Sequence, residues 1–279
     1  MAVDSKKIAL ALSEAPLSAK VGMGIVTLYL IVAILAPVLA PFSQSEVVSG
    51  PYEAASATSW LGTDALGRDF FTRVLYGIRN TVGIALITTV VTFAFGSFFG
   101  MLAAVRGGWV DQLLSRIVDV LMSIPALIFK LLLLSIAGTS VINLILIVAF
   151  VDSTRVFRLS RAAAGDVAVM EFIEAARLRG ERLFSLMFRE TLPNITAPLA
   201  AEFGVRFSFV FLVISSLSFL GIGIQPPAAD LGSMVRENAA LISFGRITPL
   251  IPAFCIGLLT IGVNFIVDWL LHMTSGLKD

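Results

Sequence analysis

Between Lys20 and Glu46 the chain carries no charge, and three further charge-free runs lie between Arg79 and Arg106, Arg206 and Asp230, and Arg246 and Asp268. A helix of about 20 apolar residues crosses the roughly 30 Å hydrocarbon core of a bilayer, so such runs read as membrane spans. From about Ile117 to Val151 the apolar stretch is interrupted in its interior by Lys130. It is too long for one span and breaks at Gly138-Thr139-Ser140, giving two helices. The resulting expectation is an all-α membrane protein with about six transmembrane helices, near 21–40, 81–105, 117–137, 141–160, 199–220 and 250–270.

Composition agrees with spans rather than a soluble core. Hydrophobic residues make up 57% of the 279-residue chain and charged residues 14%, against about 25% charged in ordinary globular chains. So few charges cannot cover the surface of a soluble protein of this size. The first run is read as a retained helix, because it exceeds a signal-peptide core and Pro41 follows the one small-residue site, near Ala40. The net charge of +1, from 20 basic and 19 acidic residues, gives no basis for a nucleic-acid partner. Membrane lipid is the expected surroundings.

Lysine and arginine positions set the expected orientation. With the N-terminus in the cytoplasm, the inner segments hold Lys6, Lys7, Lys20, Arg106, Arg116, Arg155, Arg158, Arg161, Arg177, Arg179, Arg182, Arg189 and Lys278. The outer segments hold only Arg68, Arg73, Arg79, Arg236 and Arg246. Six spans return the C-terminus to the cytoplasm. The chain then divides into a cytoplasmic segment 1–20, a first helix 21–40, an extracytoplasmic segment 41–80, a five-helix membrane domain 81–270 and a tail 271–279.

Catalytic chemistry is poorly provided for. No Gly-Lys dipeptide occurs, which removes a P-loop. The single histidine, His272, and single cysteine, Cys255, leave no His-cluster or Cys-rich metal site and no HExxH. A serine-centred GxSxG is missing as well. Asp119, Asp152, Glu202 and Asp268 fall near expected helix ends rather than forming a proton relay. No metal site and no cofactor is expected on this chain.

The polar segment 161–198 is the most informative connection. Glu171 through Arg179 favour helix, and Gly180 suits its end or a tight turn. Leu183, Phe184, Met187 and Phe188 recur at helical spacing, and Pro193 is expected to stop that second helix. Two readings stay open on periodicity alone. The loop packs its apolar side on its own helix ends, or it forms a small knob for a partner protein.

Glu174-Ala175-Ala176, three residues, Gly180, and then Leu192-Pro193 resembles the EAA motif of ABC importer permeases. The second half departs from the family pattern at Glu190 and Thr191. Trp60-Leu61-Gly62-Thr63-Asp64-Ala65-Leu66-Gly67-Arg68-Asp69 resembles the LGTDxLGRD segment of the dipeptide, oligopeptide and nickel branch. Leu217 through Pro227, followed by Asp230-Leu231-Gly232-Ser233-Met234, resembles its LSFLGLGxQPP segment. The three segments occur in family order across 60–234, and the branch's second, C-type membrane subunit is the nearest match.

The resemblance implies a type I ABC importer permease fold in a bacterial or archaeal cytoplasmic membrane. It implies a second homologous permease, two cytoplasmic ATPase subunits that carry ATP and Mg, and an extracytoplasmic solute-binding protein. Glu174, Ala175, Ala176, Arg177, Arg179, Gly180, Leu192 and Pro193 would form the ATPase-coupling loop. Dipeptides or oligopeptides are the expected solutes; nickel chelates, opines and other small solutes are the alternative.

Other residues carry two readings each. Gly62, Asp64, Gly67, Arg68 and Asp69 either order a surface helix by capping and salt bridges or contribute to a docking surface for the binding protein. Lys130 lines a pathway, snorkels, or pairs with a carboxylate on the partner subunit. Arg206 reaches the interface or touches solute. Gly96 and Gly100 form a GxxxG whose partner helix the sequence does not name. A secondary transporter would show two matched halves with interrupted helices, yet the EAA-like loop occurs once.

Overall fold

A computed structural model describes residues 15–275. Lys6, Lys7 and Lys278, with most of segment 1–20 and the end of tail 271–279, lie outside the described residues. Nine helices follow along the described chain: α1 (Leu17–Leu39), α2 (Phe70–Arg106), α3 (Gly108–Met122), α4 (Ala126–Ala137), α5 (Val141–Ala168), α6 (Glu171–Leu178), α7 (Leu183–Phe219), α8 (Leu231–Asn238) and α9 (Leu250–Ser275). No strand occurs among the described residues, only isolated bridges between Val47 and Arg68 and between Thr63 and Asp69.

Helices α1, α2, α7 and α9 are long and apolar enough to cross a membrane, and the bent pair α3–α4 brings the number to five. Helix α5 is long enough but carries Asp152, Arg155, Arg158, Arg161 and Asp166, so its composition falls short. Five of the six expected spans are accounted for in this way, and α5 stands where the remaining one was expected without the composition of a span; three of the expected shapes also need correction.

The second span starts at Phe70 rather than near 81, because Asp69 caps it and charged residues continue it outward. The third is not one helix over 117–137. Helices α3 and α4 meet at 89° across Ser123–Pro125, where Pro125 cannot continue the backbone ladder. Pro193 does not stop a helix. Residues Leu186–Thr191 widen into a π-turn, with the Leu192 N–H bonded to the Met187 carbonyl, and Pro193 then sits in the first turn of the continuing helix. A proline there removes no needed donor.

Close helix approaches depend on glycine. A Cβ at Gly96 would sit 2.5 Å from Val156 Cβ, and one at Gly100 2.7 Å from the Phe157 carbonyl oxygen. The GxxxG of α2 therefore packs on α5. The α1–α9 pair meets the same way, where a Cβ on Gly22 would lie 2.5 Å from the Gly262 oxygen, and Tyr29 donates to the Cys255 carbonyl at 2.7 Å. One apolar core joins α1, α2, α4, α5, α7, α8 and α9, including Phe70, Leu134, Leu144, Phe211 and Leu259. A second lies beneath α6 and includes Met101, Val105, Ala164, Ile173, Ala176 and Met187.

Candidate functional site

Helix α6 has eight residues and would not hold together alone, since helix nucleation is unfavourable at this length. Packing supplies the missing stability. Ile173 and Ala176, three apart on one face, are fully buried in the second core. Burying the isoleucine contributes about 1.5–3 kcal/mol. Arg177 donates to the Val105 carbonyl at 2.8 Å and ties α6 to the last turn of α2.

The helix ends in a complete Schellman cap. Gly180 stands at φ +78°, its N–H bonds the Arg177 carbonyl at 2.9 Å, and the Glu181 N–H bonds the Ala176 carbonyl at 3.2 Å. No atom lies within 4 Å of a Cβ built on Gly180. Its side therefore faces open space, and only the backbone conformation requires glycine there. Glu181 accepts from Arg179 at 2.8 Å and from Ser185 at 2.9 Å; the Arg179 guanidinium holds its carboxyl below the usual carboxylate range.

What remains outside is as telling as what is buried. Glu174, Ala175, Arg177, Arg179 and Gly180 are exposed. So are Val169, Leu178 (84%) and Phe184. Phe184 and Phe188 stack at 6.4 Å with rings nearly parallel. An apolar, small-residue surface edged by both signs of charge thus projects from the end of the helices. Leu192 is half-buried and Pro193 exposed at the start of α7's straight segment. They stand behind the projection as part of its support.

Segment 60–69 lies at the opposite end of α2 and is built inward. It forms turns rather than the expected surface helix, with Gly62 at φ +75° and Gly67 at φ +76°. The Asp64 carboxylate accepts the backbone N–H groups of Leu66 at 2.8 Å and Arg68 at 3.0 Å. It also takes Arg68 Nε at 2.7 Å and Arg73 Nε at 3.3 Å. Asp69 accepts from Thr72 N–H at 2.7 Å and from the Ser59 hydroxyl. Asp64, Arg68, Asp69 and Arg73 are all buried. Glu237 of α8 closes the network, 3.4 Å from Arg73 and 3.8 Å from Arg68.

The third family-like segment seats against the same region. Asp230 caps α8 through Ser233 N–H at 2.8 Å and accepts from Thr81 Oγ1 of α2 at 2.8 Å. Burial pushes its carboxyl up, opposed by those donors. Asn80 donates to the Ala229 carbonyl at 2.8 Å.

Lys130 and Asp152 form a buried pair within this chain, with Lys130 Nζ 2.9 Å from both carboxylate oxygens. Asp152 lies in the middle of α5 rather than near a helix end, and Glu202 and Asp268 likewise fall inside α7 and α9. Arg206 is buried, pairs with Glu202 one turn earlier and stands 5.7 Å from the Phe209 ring centre. Glu237 is not named by the sequence reading, which takes Asp152 as a carboxylate near a helix end and Arg155 and Arg73 only as charges that set orientation or local pairing. Their available signal was charge at helical spacing within apolar surroundings.

Comparison with known proteins agrees with this arrangement. Residues 96–275 match the model of the binding-protein-dependent transport system inner membrane component. The chain is 34% identical over 251 residues to the dipeptide transport system permease protein DppC of Alkalihalophilus pseudofirmus, covering 90% of this chain and 83% of the relative. It is 32% identical over 256 residues to the di/tripeptide transport system permease protein DppC of Pseudomonas aeruginosa, covering 88% and 84%. The glutathione transport system permease protein GsiD of Pectobacterium atrosepticum is 31% identical over 218 residues, covering 78% and 72%. With its multi-pass helices and its projecting, Schellman-capped α6, the chain belongs to the family of binding-protein-dependent transport system inner membrane components, the membrane permease subunits of ABC transporters.

Proposed function

We propose that this chain forms half of the translocation pathway of an ATP-driven importer of dipeptides or oligopeptides, with α6 as its contact to a cytoplasmic ATPase. The observation that carries the reading is the build of α6: seated by Ile173 and Ala176, tied by Arg177, capped at Gly180, and exposed along Glu174, Ala175, Leu178 and Arg179. A second homologous permease completes the pathway, two ATPase subunits carry ATP and Mg, and an extracytoplasmic binding protein delivers the solute. The relatives' names, two for dipeptides or tripeptides and one for glutathione, favour a peptide-like solute. The membrane is a bacterial or archaeal cytoplasmic membrane, with both termini on the cytoplasmic side.

In this mechanism the chain does no chemistry. ATPase closure moves α6, and the Arg177–Val105 bond and the second core carry that displacement into α2 and α5. The pathway alternates because the partner's closed state favours one of two helix arrangements. Segment 60–69 and α8 stand at the far end of α2, toward the binding protein.

The test is Gly180→Trp in the affinity-purified complex. Open space around Gly180 leaves room for the ring, at a backbone cost of about 1–2 kcal/mol for a side chain at φ +78° that Gly180→Ala measures separately, whereas a docked ATPase would meet the ring. Expected is a variant that inserts and purifies normally but loses copurifying ATPase activity. Normal uptake by a well-expressed variant would reject the coupling role of α6.

A further inference from the structure

The bend between α3 and α4 opens a cavity of about 290 Å³ lined by Ser123, Pro125, Ala126, Asp152, Thr154 and Arg155 among others. We propose that this cavity, on the strength of Arg155, is the point where the pathway holds the carboxylate of the transiting solute. The inference rests on the peptide-importer reading above and adds a binding residue to it.

Depth is the first argument. Helix α5 rises about 1.5 Å per residue from Val141, which places Asp152 about 17 Å and Arg155 about 21 Å along it. Both residues lie near the middle of α5, and a hydrocarbon core is about 30 Å thick. Both residues line the space at the bend rather than an apolar outer face. Ionised side chains at such depth face a partner or a water-filled cavity.

Charge balance is the second. Lys130 gives its ammonium to both oxygens of Asp152, so these two charges cancel inside the fold. Arg155 follows Asp152 by one turn, is exposed to the cavity side and makes no hydrogen bond or ion pair among the described residues. The site therefore presents one uncompensated cation. The guanidinium offers a planar pair of donors suited to a carboxylate.

The broken helix is the third. Helix α4 begins at the cavity with Pro125 before it and no side-chain cap on its first turn. Its free N–H groups and positive dipole end add to the same field. Interrupted helices at membrane depth that turn such ends toward a solute are a recurrent transporter device. The Lys130–Asp152 pair fixes α4 against α5 and so holds Arg155 beside the break.

The experiment uses the whole importer in proteoliposomes, with second permease, ATPases and binding protein, and labelled alanyl-alanine as probe. Wild type, Arg155→Gln and Arg155→Lys are compared for uptake and for ATP hydrolysis stimulated by the binding protein. A charged hydrogen bond is worth about 1.5–3 kcal/mol, so Arg155→Gln is expected to slow uptake about ten- to hundred-fold. Assembly and stimulated hydrolysis should stay within about twofold, and Arg155→Lys should recover a large part of the loss. Uptake by Arg155→Gln at the wild-type rate overturns the proposal. So does loss of the second permease from the purified variant, which would place a partner carboxylate on Arg155. A wild-type complex that hydrolyses ATP but takes up no alanyl-alanine fails the peptide reading itself, a separate outcome.

Discussion

The two ends of α2 spend charge in opposite ways. Around Asp64, Arg68, Arg73 and Glu237, carboxylates and guanidinium groups are buried together and bonded to one another and to backbone N–H groups. Around α6, both signs of charge are exposed beside uncovered apolar side chains. A buried, closed network specifies one geometry and is costly to break. An open rim of charges with an apolar centre is what a protein partner covers. Both segments resemble family motifs, and burial separates the closed network of the one from the open, uncovered surface of the other.

The sharpest way to break the comparison is Asp64→Asn. It leaves Arg68 and Arg73 buried with only Glu237 opposite, an expected loss of about 3–5 kcal/mol. Thermal unfolding of the detergent-purified chain should show it as the largest drop of the set. Next comes Gly180→Ala, where the methyl meets nothing but the backbone stays left-handed. The expected cost is about 1–2 kcal/mol, read in the same melt, and it should be confined to the α6 end. The smallest stability effect belongs to Leu178→Ser. That side chain is exposed, so the melt should move by less than about 0.5 kcal/mol. Copurifying ATPase activity should nevertheless fall. A Leu178→Ser variant that destabilises the fold and keeps its ATPase would reverse the assignment of the two ends.

Much of this architecture could be read from the residues, because charge-free runs register directly as helices that water cannot cover. The break at Gly138–Ser140 came from the same logic, and α4 and α5 do end and begin around it. The break at Pro125 was equally visible as a proline in an apolar run, but the length of the run from Ile117 to Ala137 masked it. Pro193 misled for the opposite reason: a π-turn absorbed it, and nothing in the local composition announces a π-turn.

The site divides along the same line. Gly180 and the apolar spacing of Ile173 and Ala176 are local properties, and the structure displays them as a cap and a buried face. The partner of Lys130 is not local. Asp152 reaches it only because the chain folds back over Gly138–Ser140, so the pairing expected with a carboxylate of the partner subunit is made within this chain instead. For segment 60–69, counting charges favoured a solvated surface helix, since pairing across to Glu237 on α8 has no signature in neighbouring residues.

Helix α2 runs unbroken for 37 residues, about 55 Å at an ordinary helical rise. Asp69 and the Asp64 network hold one end, and Arg177 grips the other at Val105. No proline interrupts its hydrogen-bond ladder over that length. A tilt of about 10° about either end carries the other through about 10 Å, by the same rise per residue. The Asp64 network and the α6 end are then geared to one another by a single element, and neither can shift far without the other registering it.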